Sequence, residues 1–477
     1  MFSTSPAFKE NAHKAIADVG LQKALTRTKP HFQGRRAKAV EGLPEFERLR
    51  DIGRDIKNHT LANLDFYLET WAGNVERAGG QVHWCATADD ARAAVLAICE
   101  RVGAKTVTKG KSMISEELAI NEHLEQHGIT PVETDLGEYI LQLRREPPSH
   151  IIAPAFHLNR EDWEESFRRA HTDLAPDRVF RERRDILTEA RAKLRARFLA
   201  ADVGITGANF LIAETGSSVI VTNEGNGDLT QTLPRVHIVL ASIEKMVPTL
   251  EDATNMLRLL ARSATGQDFS VYTTFSTGVR REGDLDGPEE YHVILLDNGR
   301  SAMLGTEFQD MLRCIRCAAC MNHCPVYGVV GGHAYGWVYP GPMGAVLTPT
   351  LIGVDQAGNL PNASTFCGKC ESVCPVKIPL PKMMRHWRER EFERHLTPSA
   401  VRTNLALWGF FARRPGLYRF ATRIGAGVLG WLGRKRGRLS RLPFAGGWTA
   451  GRDLPTPEGK TFFARYASEQ RRQRGAS

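Results

Sequence analysis

No stretch of the 477-residue sequence approaches the roughly 18 consecutive apolar residues that a membrane span requires. The amino-terminal segment, MFSTSPAFKENAHKAI, also lacks the apolar core of a secretory leader. A cytoplasmic location is therefore expected. With 42% apolar and 25% charged residues, the composition argues against wholesale disorder and against collagen-like or mucin-like chains. At roughly 150 residues per domain, about three domains are expected. Acidic residues are scarce in one place. Residues 401–477 carry 3 Asp and Glu against 16 Lys and Arg, a net +13 in a chain of net +9. The basic character belongs to that tail, where an anionic partner should be sought.

A convincing nucleotide fingerprint is also missing. Gly110-Lys111-Ser112 resembles the end of a P-loop, but the earlier glycine it requires would fall at Lys105. Residues 425–430 match G-x-G-x-x-G literally. However, Arg423 interrupts the would-be strand before them, and no βαβ unit surrounds them. No flavin, nicotinamide or nucleotide site is expected from these motifs.

The nine cysteines are unevenly spread. Cys85 and Cys99 stand alone, and Cys99 lies in the helical pattern ARAAVLAICERV as a small core residue. Cys314, Cys317, Cys320 and Cys324 read C-x2-C-x2-C-x3-C-P, and Cys367, Cys370 and Cys374 read C-x2-C-x3-C-P. Structural zinc sites usually pair two C-x2-C knuckles across a dozen or more residues, so zinc is the poorer reading. The first group has the spacing of bacterial iron–sulfur ferredoxins, in which a short loop wraps three irons and the fourth cysteine reaches the other cluster. That crossover assigns Cys314, Cys317, Cys320 and Cys374 to cluster one, and Cys324, Cys367 and Cys370 to cluster two. The second set is one short, because the position of its first cysteine holds Ser364. Cluster two is then a [4Fe–4S] with a non-cysteine ligand, for which Ser364 is a candidate, or a [3Fe–4S].

Residues 1–100 read mostly as helices, followed by alternating strands and helices to about residue 300, which argues for an α/β domain. Strands are expected in QVHWCA, AKTVTKG, ITPVETD, ANFLIAET, SSVIVTN, RVHIVLAS, FSVYTTFST and EYHVILLD, and HIIAPAF continues the alternation. Glycine-rich joints at Gly207, Glu214–Ser217 and Asn223–Gly227 fall at strand ends, where open α/β sheets bind ligands. Turns also use glycine for positive φ without any ligand. The 42 residues from Pro325 to Phe366 are expected to pack over the clusters and limit water access. In the tail, Leu417, Phe420, Ile424, Val428 and Trp431 fall on one helical face, as do Leu405, Trp408 and Phe411. Such faces dock on a partner or domain, or lie on an anionic membrane. The plainer alternative is the solvated face of an ordinary domain. No nucleic-acid motif accompanies the basic residues.

Residues 64–86, 107–129, 214–226, 314–349 and 366–380 together resemble the lactate utilization protein B family, the iron–sulfur subunit of a bacterial L-lactate oxidation system. The resemblance spans most of residues 60–385. It implies a lactate-utilisation α/β domain of the sugar-isomerase and CoA-transferase type over residues 1–300, with a helical amino-terminal part. An α-helical ferredoxin module over 301–395 and a basic helical extension over 396–477 would follow. It further implies electron transfer during oxidation of L-lactate to pyruvate, with two companion proteins, and the same two sets of cluster cysteines. The missing eighth cysteine is typical of the family.

Two other readings stay open. The α/β domain could itself act on a small carboxylate or acyl substrate, with Glu214, Lys111 and the Thr215–Ser217 turn as the first residues to test. Alternatively, an iron–sulfur regulatory protein could bind nucleic acid through the basic tail, in which case binding should be salt-sensitive.

Overall fold

The computed structural model describes residues 3–110, 112–175, 177–442, 446–449 and 451–474. They divide into two compact units, Met1–Arg390 and Glu391–Ser477. Among the described residues no helix is long and apolar enough to cross a membrane.

The first unit opens with helices, including Val19–Glu41, Phe46–Ala62 and Leu64–Arg77. Ten strands follow: β1 (Gln81–Cys85), β2 (Thr106–Lys109), β3 (Thr130–Glu133), β4 (Val203–Gly207), β5 (Phe210–Ile212), β6 (Ser217–Thr222), β7 (Val236–Ser242), β8 (Met246–Val247), β9 (Tyr272–Ser276) and β10 (Glu290–Leu296). Six of them form one parallel sheet in the order β1-β10-β7-β4-β2-β3. A smaller sheet, β8-β5-β6-β9, is mostly antiparallel. The fold is thus mixed α/β with a parallel sheet, as the alternation of elements predicts.

The central strands are buried over nearly their whole length and mostly apolar, because helices cover both sheet faces. Along β7, Val239 and Ala241 enter one core while Ile238 and Leu240 enter another. Along β10, Val293 and Leu295 separate from Ile294 and Leu296 in the same way. This is the two-residue period of a strand, with both faces buried.

The boundary expected near residue 300 is no break in packing. The core containing Val239 and Val293 continues without interruption through Met311, Cys317, Tyr335, Met343 and Cys374 to Trp387. The segment between the two cysteine groups does pack inward, with Tyr327, Tyr335 and Tyr339 buried and the helix Gly341–Ile352 buried over most of its length. HIIAPAF forms turns rather than a strand. Strands β4 and β8 are additions to the sequence reading.

In the second unit, helices Ser399–Ala412 and Pro415–Gly433 precede a two-stranded pair, Arg438–Leu439 with Leu454–Pro455, and a helix Phe462–Arg474. The glycines of residues 425–430 lie inside the Pro415–Gly433 helix, where no phosphate loop forms. Its predicted apolar face is exposed: Leu417, Phe420, Ile424, Val428 and Trp431 all lie open, Trp431 at 73%.

Candidate functional site

Two adjoining chambers in the first unit share a wall. The first is lined by Cys314, Cys317, Cys320 and Cys374, together with apolar side chains such as Ile315, Met343, Val376 and Ile378. Besides the thiols, Arg316 is the one ionisable residue of its lining among the described residues. The chain wraps this chamber because Arg316 and Ala318 adopt positive φ, 58° and 60°, and a short helix, Ala319–Asn322, starts immediately afterwards. Fifty residues on, Phe366 and Gly368 repeat those signs, at 54° and 75°, ahead of the helix Lys369–Ser372. In that register Ser364 stands where the first half has Cys314, and Cys324 matches Cys374.

The thiols are coupled electrostatically in two overlapping sets. Cys317 has Cys374 and Cys314 as electrostatic neighbours, whereas Cys324 has Cys367, and Cys370 has both Cys324 and Cys367. Cys320 and Cys370 feel each other across the two groups. Burial pushes the Cys374 thiol up to about 11 and that of Cys370 up to about 12. Backbone amides partly offset this, with Tyr327 N donating to Cys324 Sγ at 3.5 Å and Ile378 N to Cys374 Sγ at 3.4 Å. Cys367 alone is exposed. Among the described residues no three His, Cys, Asp or Glu side chains close on a single metal ion; four thiols instead surround a volume. The fully buried Tyr335 hydroxyl has no hydrogen-bond partner among the described residues, and it lies among Cys324, Cys320 and Cys370. Thiols, inward amides and an orphaned hydroxyl fit a sulfide-bearing polynuclear cluster, whose sulfurs accept such donors. The Ser364 hydroxyl accepts the Phe366 amide at 3.1 Å, the same two-residue step that links the Cys317 thiol to the amide of Ala319.

The second chamber is a cleft of about 150 Å³ at the carboxyl ends of β3, β2, β4 and β7. Asp135, Ser112, Gly207 and Lys245 come from those ends. Ile220 and Thr222 of β6 and Leu260 and Ala264 of the helix Leu250–Ala264 form other parts of its lining. Ligands of parallel α/β sheets gather at this edge. Ile151 and Arg316 line both chambers.

A buried charge network supports the shared wall. Arg316 pairs with Glu244 at 3.0 Å and lies over the Tyr339 ring at 5.0 Å. Glu244 also pairs with Arg300 at 3.2 Å, without hydrogen-bond geometry. Glu117 accepts Arg300 at 2.6 Å and 3.0 Å, Tyr339 Oη at 2.6 Å and Asn298 Nδ2 at 2.7 Å. Burial opposes the charge on Glu244, but Arg300 and Arg316 outweigh it and hold its carboxyl at about 2. Lys57 donates to the carbonyls of Glu244 and Met246, the latter at 3.0 Å.

The strand-end joints and the catalytic candidates of the sequence reading fare differently. Gly207, Asn223, Glu224 and Asn226 line the cleft. Glu214 does not; it is exposed, and its Oε2 accepts the Leu250 amide at 3.0 Å, at the start of a helix. The Thr215–Ser217 turn is bound internally. Ser217 Oγ meets Thr277 Oγ1 at 2.6 Å, and Gly216, at φ 72°, lies so near Asn74 that a Cβ would fall 2.7 Å from its backbone. Lys111 lies outside the described residues. Cys85 and Cys99 are buried in a separate core.

A family model described as the LUD domain matches residues 68–296, and one described as a 4Fe-4S dicluster domain matches residues 310–378. Proteins named lactate utilization protein B are similar over nearly the whole chain. The one from Oceanobacillus iheyensis is 43% identical, covering 97% of this chain and 96% of the relative. That from Macrococcus caseolyticus is 42% identical, covering 98% of each. That from Bacillus subtilis strain 168 is 41% identical, covering 98% of this chain and 97% of the relative. A crystal structure of a DUF162 family protein from Deinococcus radiodurans matches with a TM-score of 0.26 and 13% identity, covering 49% of this chain and 98% of that one.

Proposed function

This chain belongs to the lactate utilization protein B family, and on that premise we propose that it is an iron–sulfur electron carrier in the oxidation of L-lactate to pyruvate. The observation that carries the reading is the pair of thiol groups, each served by inward-facing amides, within the span of a 4Fe-4S dicluster domain. Cys314, Cys317, Cys320 and Cys374 would hold cluster one, and Cys324, Cys367 and Cys370 cluster two. When bound, such clusters accept and pass electrons one at a time.

The chain's own residues do the rest. Ile315, Met343, Val376 and Ile378 keep water from the four-cysteine chamber. Arg50, itself buried, donates twice to the Cys374 carbonyl, at 2.7 and 3.0 Å, and fixes the loop that carries that thiol. Loss of two electrons and two protons from lactate requires an acceptor of both, and a companion subunit or the cleft would supply the dehydrogenation step. The basic extension, exposed along its apolar face, would dock on an acidic surface of a companion or acceptor protein. The matches to the relatives from Macrococcus caseolyticus and Bacillus subtilis extend over 98% of this chain and so include most of this segment.

Low-temperature EPR of the anaerobic protein with its co-purifying companions tests the reading. L-lactate should reduce at least one cluster that dithionite also reduces. Reduction by dithionite alone, with all companions present, would remove the relay role. The variant Cys317→Ala should lose cluster one, measured as iron and sulfide content, and should lose lactate-dependent growth.

A further inference from the structure

We propose that the cleft at the carboxyl ends of β3, β2, β4 and β7 binds a small 2-hydroxy carboxylate, with Lys245 holding the carboxylate beside the Arg316 wall and Asn226 accepting the hydroxyl. The site stands on the cleft's own chemistry, whereas the choice of lactate as probe rests on the family reading.

The first argument is an unanswered charge. Lys245 is 7% exposed and lines the cleft, yet its ammonium has no hydrogen bond or ion pair among the described residues. Burying an ion without a partner is costly. The neighbouring buried cations are all engaged: Lys57 on two carbonyls, Lys109 on Glu133 and Asn121, Arg300 on Glu117 and Glu244, and Arg316 on Glu244. Glu244 is the carboxylate nearest in sequence, and two arginines already share it. Glu244 and Cys314 are electrostatic neighbours of the ammonium, but neither forms an ion pair or hydrogen bond with it among the described residues. Arg316 lines both chambers, but Lys245 lines only the cleft.

The second argument is an unanswered acceptor. Asn226 is 6% exposed and lines the same cleft. Its Nδ2 donates to Thr134 Oγ1 at 3.3 Å, while its Oδ1 is buried with no partner among the described residues. That oxygen requires a donor, which a hydroxyl supplies and a keto oxygen or a methylene does not. The acids on the lining accept backbone amides: Asp135 Oδ1 takes that of Gly137 at 2.9 Å, and Glu224 Oε2 takes that of Asn223 at 3.1 Å.

Size is the third argument. A cavity of about 150 Å³ admits benzene, with its six heavy atoms. A three-carbon hydroxy acid also has six.

The test titrates anaerobic holoprotein, with both clusters present, with L-lactate, propionate and inorganic phosphate in a calorimeter. A charge-assisted hydrogen bond is worth enough that losing it should weaken L-lactate binding about tenfold or more in Lys245→Met, while Lys245→Arg largely restores it. Lys245→Met should fold, because it strips no other group of its partner; unchanged iron content checks this. Propionate, which lacks the hydroxyl, should bind about tenfold more weakly than lactate. L-lactate should also perturb the EPR spectrum of dithionite-reduced cluster one in wild type and not in Lys245→Met. Equal binding by Lys245→Met, phosphate competing as well as lactate, or no saturable lactate binding by intact holoprotein would each overturn the site. Lactate binding without lactate-driven reduction would leave the site standing and remove the relay. Lactate-driven reduction undiminished in Lys245→Met would do the reverse.

Discussion

His237 is 1% exposed within β7, and its Nε2 lies 2.8 Å from the Thr206 hydroxyl. Burial holds its pKa down at about 3, against about 6.5 for an ordinary histidine. As pH falls below 6.5 the unfolded chain takes up a proton there and the folded chain does not. Above pH 6.5 this group leaves stability unchanged. Below it, stability is lost at about 1.4 kcal/mol per pH unit until the folded group titrates, or about 2 kcal/mol by pH 5. His237→Gln can keep a hydrogen bond to Thr206 and removes the titration. Its melting temperature should therefore fall less between pH 7 and pH 5 than that of wild type. Parallel slopes would show that another group carries the acid sensitivity. Tyr335 allows a complementary test at the same scale. Its orphaned hydroxyl lies among Cys324, Cys320 and Cys370, so Tyr335→Phe should lower the reduction potential of one cluster, because a donor that favours added negative charge is gone. A potentiometric EPR titration reads that shift, and unchanged potentials would assign the hydroxyl elsewhere.

The half-repeat built around the two cysteine groups makes the serine at position 364 informative. Both halves turn on positive φ at matching positions, and the Ser364 hydroxyl accepts an amide two residues on, as the Cys317 thiol does. The backbone after Ser364 thus repeats the positive-φ turn that follows Cys314, its counterpart in the first half. Ser364→Cys should therefore fold normally and give a second cluster with four cysteine ligands. If wild type holds three irons at that site, the oxidised-state EPR signal of a three-iron cluster should disappear and iron content should rise by one per chain. Persistence of that signal would mean that residue 364 faces away from the cluster. The half-repeat was legible in the sequence because cluster ligands come from short loops of fixed spacing. The cleft was legible in part, at the strand-end joints Gly207 and Asn223–Gly227, but the charge network at its wall was not. Lys57, Glu117, Lys245, Arg300 and Arg316 come from separate segments, and each reads in sequence as an ordinary surface charge until the sheet and the cysteine loops close over it. Glu214 misled for a related reason. It neighbours a glycine turn at a strand end, but that strand belongs to the smaller sheet, and its carboxylate serves the start of a helix.

Charge is partitioned across the molecule as sharply as cysteine is. The tail's net +13 sits in a chain of net +9, leaving the remaining 400 residues at −4. Arg434, Lys435 and Arg436 are exposed just beyond a helix whose aromatic and aliphatic face is also exposed. Exposed apolar surface flanked by exposed cations suits association that is steered by charge and held by apolar contact. The rates of such association fall as salt screens the charges over a Debye length of about 10 Å at 0.1 M. Replacing Arg434, Lys435 and Arg436 together by Gln should leave cluster content and melting temperature unchanged, because exposed substitutions of this kind alter stability by only about 0.5 kcal/mol. Association with the companion subunits should slow at low salt and lose most of its salt dependence, as measured by surface plasmon resonance across a salt series. If the triple variant associates as fast as wild type, the tail is not the docking element. Pelleting of the wild-type protein with anionic vesicles, lost in the variant, would reassign the surface from a protein partner to a lipid one. In either case cluster content should be unaffected, because among the described residues the core that contains the cluster cysteines runs from Phe8 to Trp387.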